Sequence, residues 1–555
     1  MADPAPRTDL RTHVVTNQVP PAGDRNLFDT DPALREALDR EGGGWASDRL
    51  RAAGAVAGSE HVAELARLAN VHSPTLRTHD RYGQRVDEVE FHPAWHELMS
   101  LATEHEVGTV AWRHRGSYGT VVRAALSIVF YQAEAGIMCP MSLSNAAPAV
   151  LRLVPGIARV WEPPVLSTEH DPRSMPLPGK RGAMIAIAAT EKQAGSDLRQ
   201  TTTVAEPVGA GGPGSEYLLR GHKWFCSVPQ ADAFVTLART GSGLSCFLMP
   251  RWLPDGTRNA VNVVRLKDKM GNRSNASSEL EFDGALAWML GDEGRGVASM
   301  MGHIHRSRLD IATAPVGLMR QAVSAAVHHA SHRSAFGSEL SKQPLMRGVL
   351  ADLALEAEAS TALLMRIARA YDEERTDEAA RAFGRLGVAA TKYWLNKRAV
   401  PVVAEAMEVH GGNGYVEDAP VARIFRETPL NGIWEGAGNV VCLDVLRAMR
   451  RDPGSVEAFL AEVDDASGAD PRLDAAVAGL RDLFDSVAYD EGLARLLVER
   501  MALTLQGSLL VRHAPAPVAE AFLAGRLSPG GGRVFGTLPS SVDADALVAR
   551  AAGTA

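Results

Sequence analysis

Apolar positions divide the chain into four stretches, each with its own period. Over residues 29–182 they recur at intervals of three and four, as in Leu34, Ala37 and Leu38 and again in Val121, Ala125, Ile128 and Val129. Asp31 stands where it can cap the first helix, and Pro32 suits its first turn. Gly42-Gly43-Gly44 and Tyr82-Gly83 only punctuate this pattern, which predicts a mainly helical domain. Over 183–290 the period shortens. Ala183–Ala189, Tyr217–Leu219, Ala233–Ala238, Leu244–Met249, Val261–Val264 and Glu279–Phe282 read as short strands between Gly, Pro, Asp and Asn clusters, which predicts a β-barrel-like domain. From 291 to 451 long helical segments return at 296–331, 345–374, 377–409 and 440–450, the layout of a four-helix bundle. Asp452-Pro453-Gly454 breaks the last of them, and residues 452–555 read as an extra helical domain whose final thirty residues, rich in Gly, Pro and Ala, are expected to be loosely ordered. Residues 1–28 are polar and Pro-containing and read as an extended arm. The predicted fold class is α+β, with a β domain between two helical ones and a further helical domain at the C-terminus.

Composition changes this picture little. A net charge of -8 over 555 residues gives no global attraction to nucleic acid or to an anionic membrane. No run of about eighteen apolar residues predicts a membrane span, and the first residues lack the apolar core of a signal peptide. Cys139, Cys226, Cys246 and Cys442 are scattered, so reduced buried thiols in a cytoplasmic protein are expected. His92/His96 and His328/His332 have helical i, i+4 spacing but no third ligand, so they read as polar surface histidines and no metal is expected. Gly209–Gly214 matches G-x-G-x-x-G without the strand-to-helix context a dinucleotide loop needs, so it reads as a turn.

Candidate chemistry concentrates in a few stretches. Thr190-Glu-Lys-Gln-Ala-Gly195-Ser196-Asp197 follows an apolar strand with hydroxyls and a tight turn, which suits a ligand with hydrogen-bonding ring edges and phosphates, though a plain hairpin loop would look the same. Gly221–Ser227 alternates aromatic and small polar residues and could wall a flat ring. Arg333, Phe336 and Gln343 offer a phosphate partner and an aromatic cover, and Gly411-Gly412 permits close backbone approach. Residues 431–439, Asn-Gly-Ile-Trp-Glu-Gly-Ala-Gly-Asn, set the carboxylate of Glu435 between an indole and a flexible run at the start of a helix. Shielded there, Glu435 could act as a general base; a solvated loop acid is the plain alternative.

In this order the stretches resemble the acyl-CoA dehydrogenase family of flavoproteins. The matching motifs are T-E-x-x-x-G-S-D at 190–197, G-x-K-W-F-x-S at 221–227, K-M-G-x-R-x-S at 269–275, R-x-x-F-G with Gln343, G-G-x-G at 411–414, and aromatic-E-G at 434–436. Thr16–Pro20, Glu41–Trp45, Phe91–Trp95 and Leu266–Ala276, with the C-terminal extension, are similar to the AidB-like adaptive-response branch. The resemblance implies an acyl-CoA dehydrogenase-like fold, FAD as cofactor and a homotetramer. It implies that Ile187, Ala188, Ala189, Thr190, Gly195, Ser196, Phe225, Cys226 and Ser227 surround the flavin ring. Arg333, Phe336, Gln343, Gly411 and Gly412 would reach the cofactor of a neighbouring subunit, and Trp434, Gly436, Gly438 and Asn439 would close over it. Glu435 takes the position of the family's base, with Trp434 and Arg273 in the substrate pocket.

The implied activity is oxidation at a CH–CH group: Glu435 takes the α-proton beside a thioester while a hydride leaves the β-carbon, with an electron-transfer flavoprotein as a candidate acceptor. Many relatives carry Tyr where Trp434 stands, so short branched acyl-CoA such as isovaleryl-CoA is expected to turn over weakly. The alternative implied by the AidB-like branch is a DNA-associated flavoprotein that protects DNA from, or detoxifies, alkylating agents. Arg447, Arg450 and Arg451 are its candidate contacts to double-stranded DNA. Against it, residues 441–555 hold eleven Lys/Arg and sixteen Asp/Glu, a poor match to phosphates.

Overall fold

The computed structural model describes residues 7, 9–487, 490–528 and 532–553. Its N-terminal helices include Pro32–Arg40, capped by the Asp31 carboxylate on the Leu34 N–H, and the wholly buried Gly119–Ala133. A hairpin of β1 (Thr75–His79) and β2 (Arg85–Glu90) interrupts them. Periodicity does not reveal this hairpin, because neither strand presents a continuous buried face.

Seven strands form the middle domain: β3 (Ile185–Ala188), β4 (Val204–Pro207), β5 (Glu216–Ser227), β6 (Ala233–Thr240), β7 (Gly243–Pro250), β8 (Val261–Leu266) and β9 (Ser277–Leu290). The hydrogen-bonded order is β3-β6-β4-β5-β9-β7, and a further β6–β7 pairing turns the sheet back on itself. β3 and β6 run parallel, from Ile185 opposite Ala233 to Ala188 opposite Thr236. Tyr217–Leu219 and the aromatic stretch 221–227 prove to be one 12-residue strand, β5. The Gly-rich 209–214 segment is the turn from β4 into β5.

Helices Gly296–His332, Pro344–Glu373 and Glu378–Val409 form the bundle with two shorter helices, Pro420–Asn431 and Gly438–Arg451. Pro420 and Pro429 mask the first of these two in the sequence. The turn between them carries Glu435.

The C-terminal helices share the bundle's core. Phe459 stacks near Phe383 at 5.9 Å, and Trp394 donates to Gln506 Oε1 at 2.9 Å. The expected looseness of the last thirty residues does not hold over their described part. Ala544–Ala552 is a helix with Leu547 and Ala551 buried. Arg320 donates to the Ala551 carbonyl at 2.8 Å, and Arg550 pairs with Glu358 at 2.7 Å and Glu36 at 2.8 Å. Among the described residues, no helix is long and apolar enough to cross a membrane.

Candidate active site

Glu435 sits in a backbone conformation that side-chain-bearing residues avoid. Its φ is +54°, and Gly436 follows at +104°. A left-handed residue with a Cβ costs roughly 1–2 kcal/mol, so the surroundings must hold it there. They do so through three cationic and polar groups. Lys392 donates to the carbonyl oxygens on either side, Trp434 O at 2.8 Å and Gly436 O at 2.5 Å. Arg308 Nε reaches Glu435 O at 3.3 Å, and its Nη1 is anchored on Asp444 Oδ2 at 2.6 Å. Arg385 takes the other Asp444 oxygen at 3.0 Å.

The Ser307 hydroxyl, which donates to Ile304 O at 3.1 Å, lies beside the Glu435 carboxyl. Burial is the largest influence on this carboxyl and raises it above the ordinary carboxylate range, opposed by Ser307, Arg308 and Lys392. Trp434 packs against the β-domain core that includes Cys139, Leu143 and Cys226, and its Nε1 donates to Asn431 Oδ1 at 3.1 Å. The turn therefore bridges the bundle and the barrel. Gly438 opens the following helix and packs against Tyr393 and Lys397, while Asn439 is exposed beside it.

The barrel contributes the ends of β3 and β5. The Trp224 N–H donates to Thr190 O at 2.8 Å, joining the two strands at the residues the motifs mark. Beneath them Lys223 and Glu191 form a solvent-free pair at 2.8 Å. Thr202 and Thr203 also donate to Glu191, so the 190–203 segment is stapled to β5. Along β5 the side chains alternate: Phe225 is 52% exposed, Cys226 turns into the core and Ser227 is half-buried. Cys226 thus offers a ligand only its backbone. Ala188 is likewise buried, Ile187, Ala189 and Thr190 are half-buried, and Gly195 and Ser196 lie exposed on the turn beyond.

The loop 267–276 crosses from the barrel to both helical domains. The Asn272 N–H donates to Glu427 Oε1 at 2.7 Å and Ser274 to Glu134 Oε1 at 2.6 Å. Burial, then Glu134, pushes the Glu427 carboxyl up to about 7, and burial lowers Lys269 to about 8. Arg273 is exposed on this loop and donates to Lys269 O at 3.1 Å.

The remaining predicted cofactor residues lie elsewhere. Arg333 ends the helix that carries Ser307, 26 residues later, which is roughly 39 Å along the axis at 1.5 Å per residue. Its guanidinium donates to Asn17 O, and Asn17 exchanges two 2.8 Å bonds with the Ser334 backbone. Gln343 donates to Ala335 O at 2.8 Å, closing the small hairpin that presents Phe336. Phe336 is 100% exposed with φ +51°. The His410 ring packs against His329 at 4.6 Å, so the open Gly411-Gly412 turn belongs to this same end.

Ser307, Arg308, Lys392 and Asp444 escape the sequence reading. The one signal available for them is a charged residue inside an otherwise apolar helical run, as at Lys392 in Val388–Leu395.

Comparison with known proteins agrees with this fold. Residues 17–172 match the adaptive response protein AidB N-terminal domain, 186–285 the acyl-CoA dehydrogenase middle domain and 294–450 the acyl-CoA dehydrogenase C-terminal domain. The chain is 44% identical to the putative acyl-CoA dehydrogenase AidB of Escherichia coli K12, over 94% of this chain and 96% of that one. It belongs to the acyl-CoA dehydrogenase family. Within that family it lies on the AidB-like side, and it is an oxidoreductase of the class acting on CH–CH groups. Acyl-CoA dehydrogenase family member 11 of Caenorhabditis elegans is 30% identical over 84% of this chain and 77% of its own. The crystal structure of Caenorhabditis elegans ACDH-11 in complex with C11-CoA superposes with a TM-score of 0.83 at 27% identity, covering 97% of this chain and 98% of that one.

The barrel edge carries groups that suit a flavin ring, with the Lys267 ammonium 3.3 Å from the Trp224 ring centroid and 4.6 Å from that of Phe225. Phe225 and Trp224 stand at the barrel edge with the Ser227 and Thr190 hydroxyls, and a Cβ on Gly195 would meet only Thr190 Cγ2, at 3.6 Å. At the far end nothing lies within 4 Å of a Cβ placed on Gly337, Gly411 or Gly412. Aromatic faces, hydroxyls and open glycine backbone fit a flavin with its phosphates.

Proposed function

We propose that this protein is an FAD-dependent acyl-CoA oxidoreductase in which Glu435 abstracts the α-proton. The observation that carries the reading is a carboxyl-bearing residue fixed in a left-handed turn, its flanking carbonyls held by Lys392 and its own by Arg308, with burial raising its proton affinity. FAD, when bound, supplies the hydride acceptor. Thr190, Ser196, Phe225 and Ser227 would hold its ring, with Trp434 and Asn439 closing from the bundle side.

An α-proton beside a thioester is weakly acidic, so the base must be aimed and partly desolvated. Ser307 stands beside the Glu435 carboxylate. Lys392 and Arg308 fix its backbone. Trp434 excludes water from the side facing the barrel. The indole also narrows the entry, so short branched thioesters such as isovaleryl-CoA turn over weakly. An electron-transfer flavoprotein serves as acceptor.

Roughly 39 Å along one helix separates Arg333 from Ser307, so the hairpin 333–343 serves the site of another copy, in a homotetramer. Phe336 at 100%, Leu345 at 88% and Tyr415 at 83% exposure are the apolar side chains such an interface would cover.

The test is anaerobic titration of the purified, FAD-loaded protein with a panel of acyl-CoAs. Bleaching of the flavin band with at least one thioester, lost in Glu435→Gln with flavin retained, is the expected result. No bleaching by any thioester refutes the acyl-CoA assignment.

A second reading, contact with double-stranded DNA and defence against alkylating agents, keeps one structural point in its favour. Arg450 and Arg451 are exposed at a helix end and make no ion pair among the described residues, whereas Arg447 leans on Asp444 at 3.4 Å. A salt-dependent gel shift decides it, and absence of binding at low ionic strength ends it.

A further inference from the structure

Lys392 is a lysine where an apolar residue would be expected. It is 1% exposed, on the inner side of the Glu378–Val409 helix. Among the described residues no carboxylate lies within 4 Å of it, so no salt bridge compensates its burial. Its ammonium instead donates to two carbonyl oxygens, of Trp434 and Gly436. These are the carbonyls of the residues before and after Glu435.

We propose that Lys392 is the positioning residue for the base: it clamps the left-handed turn from both sides and brings its charge near the Glu435 carboxylate. This rests on the reading of Glu435 as the base.

Two observations support it, the geometry of the clamp and a charge coupling seen from both partners. The clamp spans the one non-glycine left-handed residue of the turn, where strain requires an external hold. The Glu435 carboxylate is the group whose field favours the Lys392 ammonium, while Arg308 and Lys397 oppose it. The coupling is mutual, since Lys392 in turn favours the ionised Glu435, together with Ser307 and Arg308. Burial, the largest influence, brings Lys392 down to about 7, so its charge is poised rather than permanent. Arg308, paired with Asp444 at 2.6 Å, also favours the ionised Glu435, but it holds only the one carbonyl of Glu435 itself. When Glu435 takes up the α-proton its negative charge vanishes, and the field that favoured the ammonium vanishes with it. The two sites therefore titrate as a pair.

The experiment compares wild type, Lys392→Met, Lys392→Arg and Glu435→Gln as FAD-loaded proteins. The readouts are the pH profile of flavin reduction and the exchange of the substrate α-proton into deuterated water. Lys392→Met is expected to keep its flavin and a KM within about twofold, lose roughly tenfold or more in reduction rate, and move the acidic limb of the profile to higher pH. Lys392→Arg, which keeps charge and donors, is expected to restore the limb. An unshifted limb and unchanged rate in Lys392→Met, with exchange abolished in Glu435→Gln, overturns the inference and leaves the base assignment standing. Exchange that survives in Glu435→Gln overturns both. If Lys392→Met does not fold, 15N-lysine spectra of wild type and Glu435→Gln decide: the titration of one buried lysine must move between them, and identical titrations overturn the coupling.

Discussion

The turn at Glu435 and the hairpin at Arg333–Gln343 hang on the same 37-residue helix, yet they are built in opposite ways. The turn is closed from within the chain. Ser307 lies beside its carboxyl, Lys392 and Arg308 hold its carbonyls, and Trp434 packs it against the barrel. The hairpin presents its aromatic outward. Phe336 is bare, the Arg333 guanidinium reaches the N-terminal arm at Asn17, and a Cβ on the neighbouring Gly411 would meet nothing within 4 Å. One region is a finished device; the other has the composition of a binding surface whose partner lies outside the chain. Acid–base geometry must be accurate to a fraction of an ångström and is built within one chain, whereas cofactor retention can be shared between copies.

The strongest way to break this contrast is at the closed end. Glu435→Gln should retain flavin and lose about 10²–10⁴-fold in flavin reduction, the span general-base catalysis supplies. A stopped-flow trace near wild type would place the base elsewhere. At the open end Phe336→Asp should leave the fold and the base turn intact. It should lower flavin content about tenfold or more and shift the protein to smaller species, read by absorbance and light scattering.

Acid should act on the closed end through histidines. Burial brings His303 down to about 3 and His305 to about 4, both within about one turn of Ser307. Groups whose folded pKa lies below the unfolded value bind fewer protons in the native state, so stability is present above pH 6.5 and is lost as pH falls toward 4. At roughly 1.4 kcal/mol per unit for a fully buried group, denaturant midpoints should drop clearly over that window. A flat profile would mean these rings charge freely. Trp434→Tyr is the smallest change: a several-fold gain in kcat/KM for branched thioesters would mark the indole as a gate, and no gain would leave it as packing.

Much of this was legible in sequence because period and punctuation survive in it. The three-part body, the barrel between helical domains and the motif order follow from apolar spacing and turn residues. What was hidden had no local signature. Pro420–Asn431 carries two prolines that mimic a loop, and the β1–β2 hairpin lacks an apolar face. The turn's supports come from three separate helices. Ser307, Lys392 and Asp444 meet only because the bundle closes, and spacing within one segment cannot report that. The final helix, hidden in an Ala-rich tail, is fixed by Arg550 and Arg320 from partners hundreds of residues away.

The contrast itself is tested most directly by complementation. Glu435→Gln chains carry an intact hairpin and a broken base; Phe336→Asp chains carry the reverse. Co-expressed at equal levels, they should form mixed oligomers in which one site per mixed pair is whole. About one quarter of wild-type flavin-reduction activity should return, although each variant alone is inactive or flavin-depleted. Mixed oligomers that form but regain no activity would show that base and cofactor edge do not meet across chains.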